Sequence, residues 1–278
     1  MKDFHPWHGY LVASEGDCHY ICSTWQLGEQ CVFGYDSDYT TMAVALIKFL
    51  TAQEHPVILK AIDEKISIDV LAASTEHEIA DSGYTLSCNS DASLAMFLDD
   101  APVVAPPTEA MKEINPETYS KINHAWDEES NERNISQGAY VSGQQYSESL
   151  ESRLSLTAQN HDVLIWPQRQ MDADGVVIED NIMRLKPTGT VTSWTKLSAA
   201  GAPSEFAIRA PILGGIATVM VQTTDGPNGV FLLVDDDTTT PEIGASVDLV
   251  VRRLYAQEGS IRYGLKAILK NYVDIAKH

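Results

Sequence analysis

With 278 residues, 44% hydrophobic and 21% charged, the chain is long enough for one large domain or two ordinary ones. The balance is that of a soluble globular protein and excludes a disordered or fibrous one. No apolar run approaches bilayer-spanning length, and the opening MKDFHPWHGY carries Asp3 with no continuous apolar core, so no membrane association, no secretory signal and a cytoplasmic location are expected. The formal net charge of −20 lies wholly before Lys186: residues 186–278 hold nine Lys/Arg and nine Asp/Glu, leaving 10 and 30 for the rest. An acidic chain repels phosphate backbones, so nucleic acid is not the expected partner.

Residues 9–35 alternate between glycines, and HGYLVAS, CHYICST and QCVFGY read as short strands. From Thr40 to Gln53 the period changes. Met42, Val44, Ala45, Leu46, Phe49 and Leu50 gather largely on one helical face, Thr40 or Thr41 is available as a cap, and Pro56 stops the helix. VILKAI and ISIDVLAAS follow as strand candidates, then YTLSCNS and the apolar SLAMFL. The stretch DDAPVVAPPTEA, in a run with four prolines as far as Pro116, marks a linker.

Two helical stretches come next, near 116–127 and 143–158. In the second, Tyr146, Leu150, Leu154 and Ala158 form a narrow apolar stripe of the kind that docks on a neighbour. From Val163 onward short strands alternate with turns such as TDGPNG and AQEGS, the pattern of a small β-barrel. The expected class is α+β: an α/β part over 1–100, linker and helices over 101–158, two hairpins over 159–185 and the barrel over 186–278.

Cys18, Cys22, Cys31 and Cys88 form no C-x-x-C pair. A zinc site from the first three with His19 or His5 fits no standard spacing, so reduced thiols are expected and zinc is not. Asp235, Asp236 and Asp237 read as a solvated turn before a divalent-ion site. No G-x-S-x-G, P-loop or dinucleotide fingerprint is present.

GTVTSWTKL, AIRAPILGGIATVMVQTTDG, PEIGASVDLVV and GSIRYGLKAIL together resemble, in order, the OB domain of the zinc-ribbon and OB-fold scaffold proteins encoded beside thiolases. The resemblance implies a subunit without catalytic residues of its own. Such a subunit bridges a thiolase and a hydroxymethylglutaryl-CoA synthase, or activates a thiolase-like acyltransferase, and helps hold the shared coenzyme A thioester. The family's four ribbon cysteines are missing from residues 159–186, which implies hairpins without metal. CVFGYDSDYTTMAVALIKFL and ISIDVLAAST are similar to the early strand-helix-strand of the hydroxymethylglutaryl-CoA synthase branch of the thiolase fold, where an acidic loop precedes the helix. With about 100 residues before the linker, this implies a truncated thiolase-like copy.

Nucleophilic chemistry on thioesters needs a thiolate at a helix N-terminus with a base nearby. Cys88 in TLSCNSDASLAMFL is the only cysteine followed by a plausible helix, and His77 with Glu78 are the base candidates; a packed thiol and an exposed loop are the alternatives. Arg252, Arg253, Arg262 and Lys266 are the candidates to meet coenzyme A phosphates, with outward-facing strand residues as the alternative. Trp166, Tyr146, Leu150, Leu154 and Trp194 form the candidate interface, and Trp194 and Phe206 line either a ligand groove or a core. Three functions follow in order: a non-catalytic scaffold of an acyl-CoA complex with no covalently bound cofactor, a minimal acyl-transferring enzyme using Cys88, and a single-strand nucleic-acid binder.

Overall fold

The computed structural model describes residues 3–134, 141–160, 164–168, 171, 174–176, 182–236 and 239–270. It begins with an antiparallel meander of β1 (His5–Trp7), β2 (Tyr10–Glu15) and β3 (Cys18–Ser23), followed by the hairpin β4 (Trp25–Leu27) and β5 (Gln30–Val32). Helix α1 (Tyr39–Thr51) leads to β6 (Ile58–Ile62), α2 (Ile68–Ser74), β7 (Glu78–Ile79), β8 (Tyr84–Cys88) and β9 (Ser93–Phe97). The sheet runs β1-β2-β3-β9-β8-β6-β7, mixed at the β8-β6-β7 end.

Both faces of this sheet are covered. Tyr10, Val12, Ile21, Leu94 and Met96 face α1, whereas Leu11, Tyr20, Cys22, Ala95 and Phe97 pack with Cys31 of the hairpin and with Val104 and Met111. The proline-rich linker is thus a strap on the back of the sheet. Its end, β10 (Lys112–Glu113), adds to β4 in parallel.

Asp38, not Thr40 or Thr41, caps α1: its carboxylate accepts from the Thr41 N–H, and the Thr41 hydroxyl reaches back to the Asp38 N–H. Every residue from Thr40 to Ile47 is buried, because α1 lies between the sheet and the barrel. The single-face expectation understated its burial.

ISIDVLAAS is helix, not strand. Ser67 caps it, and Val70, Leu71, Ala73 and Ser74 are buried in a helix that packs on α1 and α4. SLAMFL is the strand β9, not a helix. Helix α3 (Pro116–Glu129) stands where it is expected, whereas α4 (Gly143–Leu154) is shorter than the expected 143–158, so Ala158 of the expected stripe lies beyond it, on a strand.

Strands β11 (Thr157–Asn160), β12 (Leu164–Ile165) and β13 (Ile182–Arg184) pair antiparallel in the hairpin region, where residues 161–163, 169–170, 172–173 and 177–181 lie outside the described set. The barrel comprises β14 (Thr188–Leu197), β15 (Ile216–Thr223), β16 (Asn228–Leu233), β17 (Ser246–Gln257) and β18 (Ser260–Leu269). It closes in the order β14-β15-β16-β18-β17, with only β16 and β18 parallel, a five-stranded OB-type arrangement. Val191, Val219, Val221, Phe231, Leu249, Val251 and Ala267 fill it. A Cβ at Gly189 would strike the Gln222 carbonyl, so the approach of β14 to β15 there needs glycine. Buried apolar contacts run unbroken from the sheet through α1 and α4 into the barrel. A truncated thiolase-like fold is not what the N-terminal sheet establishes; the architecture is α+β with a closed barrel.

Candidate functional site

The loop between β5 and α1, GYDSD, lies against the outer wall of the barrel and places Asp36 among buried cations. Asp36 Oδ2 accepts from Lys266 Nζ at 2.8 Å and from the Asp235 N–H at 2.9 Å, and Arg252 Nε stands 3.5 Å from Oδ1. Lys266 Nζ also donates to Asp235 at 2.6 Å. Arg209 donates to Asp235 at 3.0 Å and to Glu129 of α3 at 2.8 Å, and lies over the Trp126 ring at 3.9 Å. Burial opposes the charge on Asp36, yet Lys266 and Arg252 hold its carboxyl below the ordinary range. Burial and the neighbouring Asp36 push Asp236, which accepts from the Trp25 indole N–H at 2.7 Å, up to about 6.

This seam takes up the residues expected to meet coenzyme A phosphates. Arg252 and Lys266 point outward from the barrel, but the N-terminal part covers them: Lys266 has no exposed surface. Arg253 lies over Trp126 at 4.3 Å and donates to the Tyr35 carbonyl at 3.3 Å. Arg262 is buried over Tyr146 at 4.8 Å and pairs with Glu258 at 3.4 Å. As placed, these cations are spent on the chain's own acids and rings rather than on an open surface.

The interface candidates divide similarly. The Tyr146 hydroxyl accepts from the Tyr263 N–H at 2.8 Å, and Leu150 and Leu154 are buried, so the stripe on α4 docks on α2 and β18 of its own chain. Trp166 stacks on Phe231 with ring centroids 5.2 Å apart. Phe206 is buried against Tyr255. Trp194 alone of the interface set stays open, at 41% exposure. With Lys196, Leu213, Ile216 and Leu233 it lines a cleft of about 240 Å³ on the barrel. Met220 and Val230, paired across β15 and β16, are exposed on the same sheet.

Cys88 ends the strand β8, and no helix follows it. Burial, reinforced by Asp63, pushes its thiol up to about 12, opposite to what a nucleophile needs. His77 bonds the Thr75 hydroxyl at 2.9 Å and Glu78 is exposed on the edge strand β7. Iodoacetamide should therefore alkylate folded Cys88 on the order of a hundredfold or more slower than a free thiol at pH 7.5. Rapid stoichiometric acylation of Cys88 by an acyl-CoA, read by intact-protein mass spectrometry, would reinstate it as a nucleophile.

Among the described residues no three His, Cys, Asp or Glu side chains gather as a metal site. Cys22 and Cys31 are buried with their thiols pushed up by burial. Asp235 belongs to the seam, and Asp237 lies outside the described residues. No described helix is long and apolar enough to cross a membrane. The acids that answer the barrel's cations, Asp36 and Glu129, are not evident from sequence spacing; the acidic loop before α1 is the one local signal.

No protein-family model matches the chain, and no curated protein matches it. Among solved structures it is similar to a chain described as "Ltp2-ChsH2(DUF35) aldolase", at 20% identity and a TM-score of 0.31, over 44% of this chain and 90% of that one.

Proposed function

We propose that this protein is a cytoplasmic, non-catalytic scaffold or accessory subunit of an acyl-CoA condensing or acyltransferase complex. Its partner is a thiolase-like or hydroxymethylglutaryl-CoA synthase-like enzyme, with which it shares the hold on a coenzyme A thioester. The observation that carries this reading is the OB-type barrel, whose strands follow the order of the scaffold-family segments while one wall is sealed by the seam and the Trp194 cleft stays open. An exposed indole in a cleft with Leu213, Ile216 and Leu233 has the composition of an interface centre, and Lys196 supplies a cation for a thioester's phosphates. The candidate nucleophile of the alternative reading, Cys88, has its thiol pushed up to about 12 by burial. Nucleic-acid binding is disfavoured because Arg252, Arg262 and Lys266 are buried.

The test is affinity purification of the tagged chain from its native cells, with mass spectrometry of stoichiometric co-eluting proteins. A thiolase-like or synthase-like partner is expected, with no acyl-CoA turnover by the chain alone. Trp194→Asp should release the partner at unchanged melting temperature. Elution of the wild-type chain by itself, or turnover without a partner, refutes the proposal.

A further inference from the structure

The last turn of α1, the ends of α2 and α4, and β18 meet around a cavity of about 500 Å³, within the range of small-molecule sites. Trp7, Leu154, Leu156, Pro187 and Leu265 give it mainly apolar walls. The N-terminal sheet unit, the helical connector and the barrel each contribute, so the cavity exists only in the assembled chain.

The charges at its rim do not balance. Glu76 pairs with Arg184, and Asp248 pairs with Lys270 at 3.0 Å and with His8 at 3.5 Å. Burial pulls His8 down despite Asp248, so its imidazole is neutral at pH 7. Among the described residues three cations then face two carboxylates. The one left over is Lys48, half-buried in the last turn of α1, whose amine makes no hydrogen bond or ion pair to any described residue. Burial, with Arg184 nearby, lowers its amine to about 8, which still leaves it mostly charged at neutral pH. An apolar cavity that keeps one uncompensated ammonium has the complement of a ligand with an apolar body and one negative charge.

We propose that this cavity binds a monocarboxylate amphiphile, with its carboxylate seated on Lys48 Nζ and its hydrocarbon body against Trp7, Leu156 and Leu265. One carboxylate neutralises the excess charge, whereas a phosphate monoester brings a second charge with no cation to meet it. The proposal is independent of the accessory role, and its test involves no partner.

Isothermal titration of the full chain with octanoate is the experiment, with 1-octanol and octyltrimethylammonium as neutral and cationic counterparts. Saturable octanoate binding tighter than about a millimolar is expected, weakened at least tenfold for the other two probes. Lys48→Met should weaken octanoate binding at least tenfold and leave octanol unchanged, and Lys48→Arg should retain it. Ala52→Trp, which fills the exposed mouth, should abolish binding of both while the circular dichroism of the chain is preserved. No saturable octanoate binding, equal affinity for octanol, or a Lys48→Met variant that binds octanoate as the wild type does would each overturn the proposal.

Discussion

Lys266→Met is expected to lower the unfolding free energy by about 3–5 kcal/mol, the cost typical of breaking a buried ion pair from one side. Among the described residues Lys266 is the only donor shared by Asp36 and Asp235, with Nζ at 2.8 and 2.6 Å, and it has no exposed surface through which water could take its place. Removing it leaves two carboxylates converging on one apolar methionine, with only Arg252 and Arg209 left to answer them. The second half of the experiment separates the pair from its surroundings. Asp36→Asn combined with Lys266→Met should recover part of the loss, since the amide still accepts from the Asp235 N–H without a charge to neutralise. Urea unfolding of the two single variants and the double variant measures both quantities. A Lys266→Met variant within 1 kcal/mol of wild type would mean that the seam contributes no more than a surface pair.

Arg209→Met should cost a similar amount, about 3–5 kcal/mol near pH 7.5, and its cost should depend on pH. Arg209 is enclosed by Trp126 and Phe206 and joins Glu129 to Asp235. Asp235 keeps Lys266 after the substitution. Glu129, itself 2% exposed, keeps only the Ala256 N–H. Burial already holds the Glu129 carboxyl above the ordinary carboxylate value, and loss of Arg209 raises it further. The native state then binds more protons than the unfolded chain between the ordinary value and the raised one, so stability falls as pH rises through that window. The variant's deficit should therefore shrink as pH is lowered from 8 toward 5. Thermal unfolding of wild type and variant across that range is the measurement; a deficit of equal size at both ends would show that Arg209 does not neutralise Glu129.

The legible parts of the fold are those whose sequence pattern reports one environment. Strands β15 and β16 largely alternate because one face meets the barrel interior, and their turns carry glycine, so their order and approximate bounds follow from spacing. Helix α1 is legible through its length and period. Strand β9 is not, since Ser93–Phe97 is buried on both faces and an unbroken apolar run of that length does not distinguish strand from helix. Helix α2 is hidden by Ile66, Ile68 and Val70, which favour strand; Ser67 as N-cap and burial against α1 and α4 override that preference. The acid shared by Arg252 and Lys266, Asp36, lies on a loop some two hundred positions away, where no spacing rule reaches. Lys48 is equally silent in sequence, as a lysine in the last turn of a helix is ordinary.

Asp38 caps α1 with one carboxylate oxygen and accepts from the Tyr263 hydroxyl with the other, at 2.7 Å, across 225 positions; Asp36 and Lys266 are 230 apart. A ribosome makes the helix and its sheet long before it makes the strand that secures the cap. Until β17 and β18 emerge, the buried face that α1 turns toward the barrel lacks the strands that cover it and secure its cap, and nascent N-terminal segments must wait with apolar surface uncovered. Folding of the first hundred residues is thereby tied to the completion of the last strand, and the chain is expected to depend on chaperone holding during synthesis to a degree set by elongation speed rather than by its final stability.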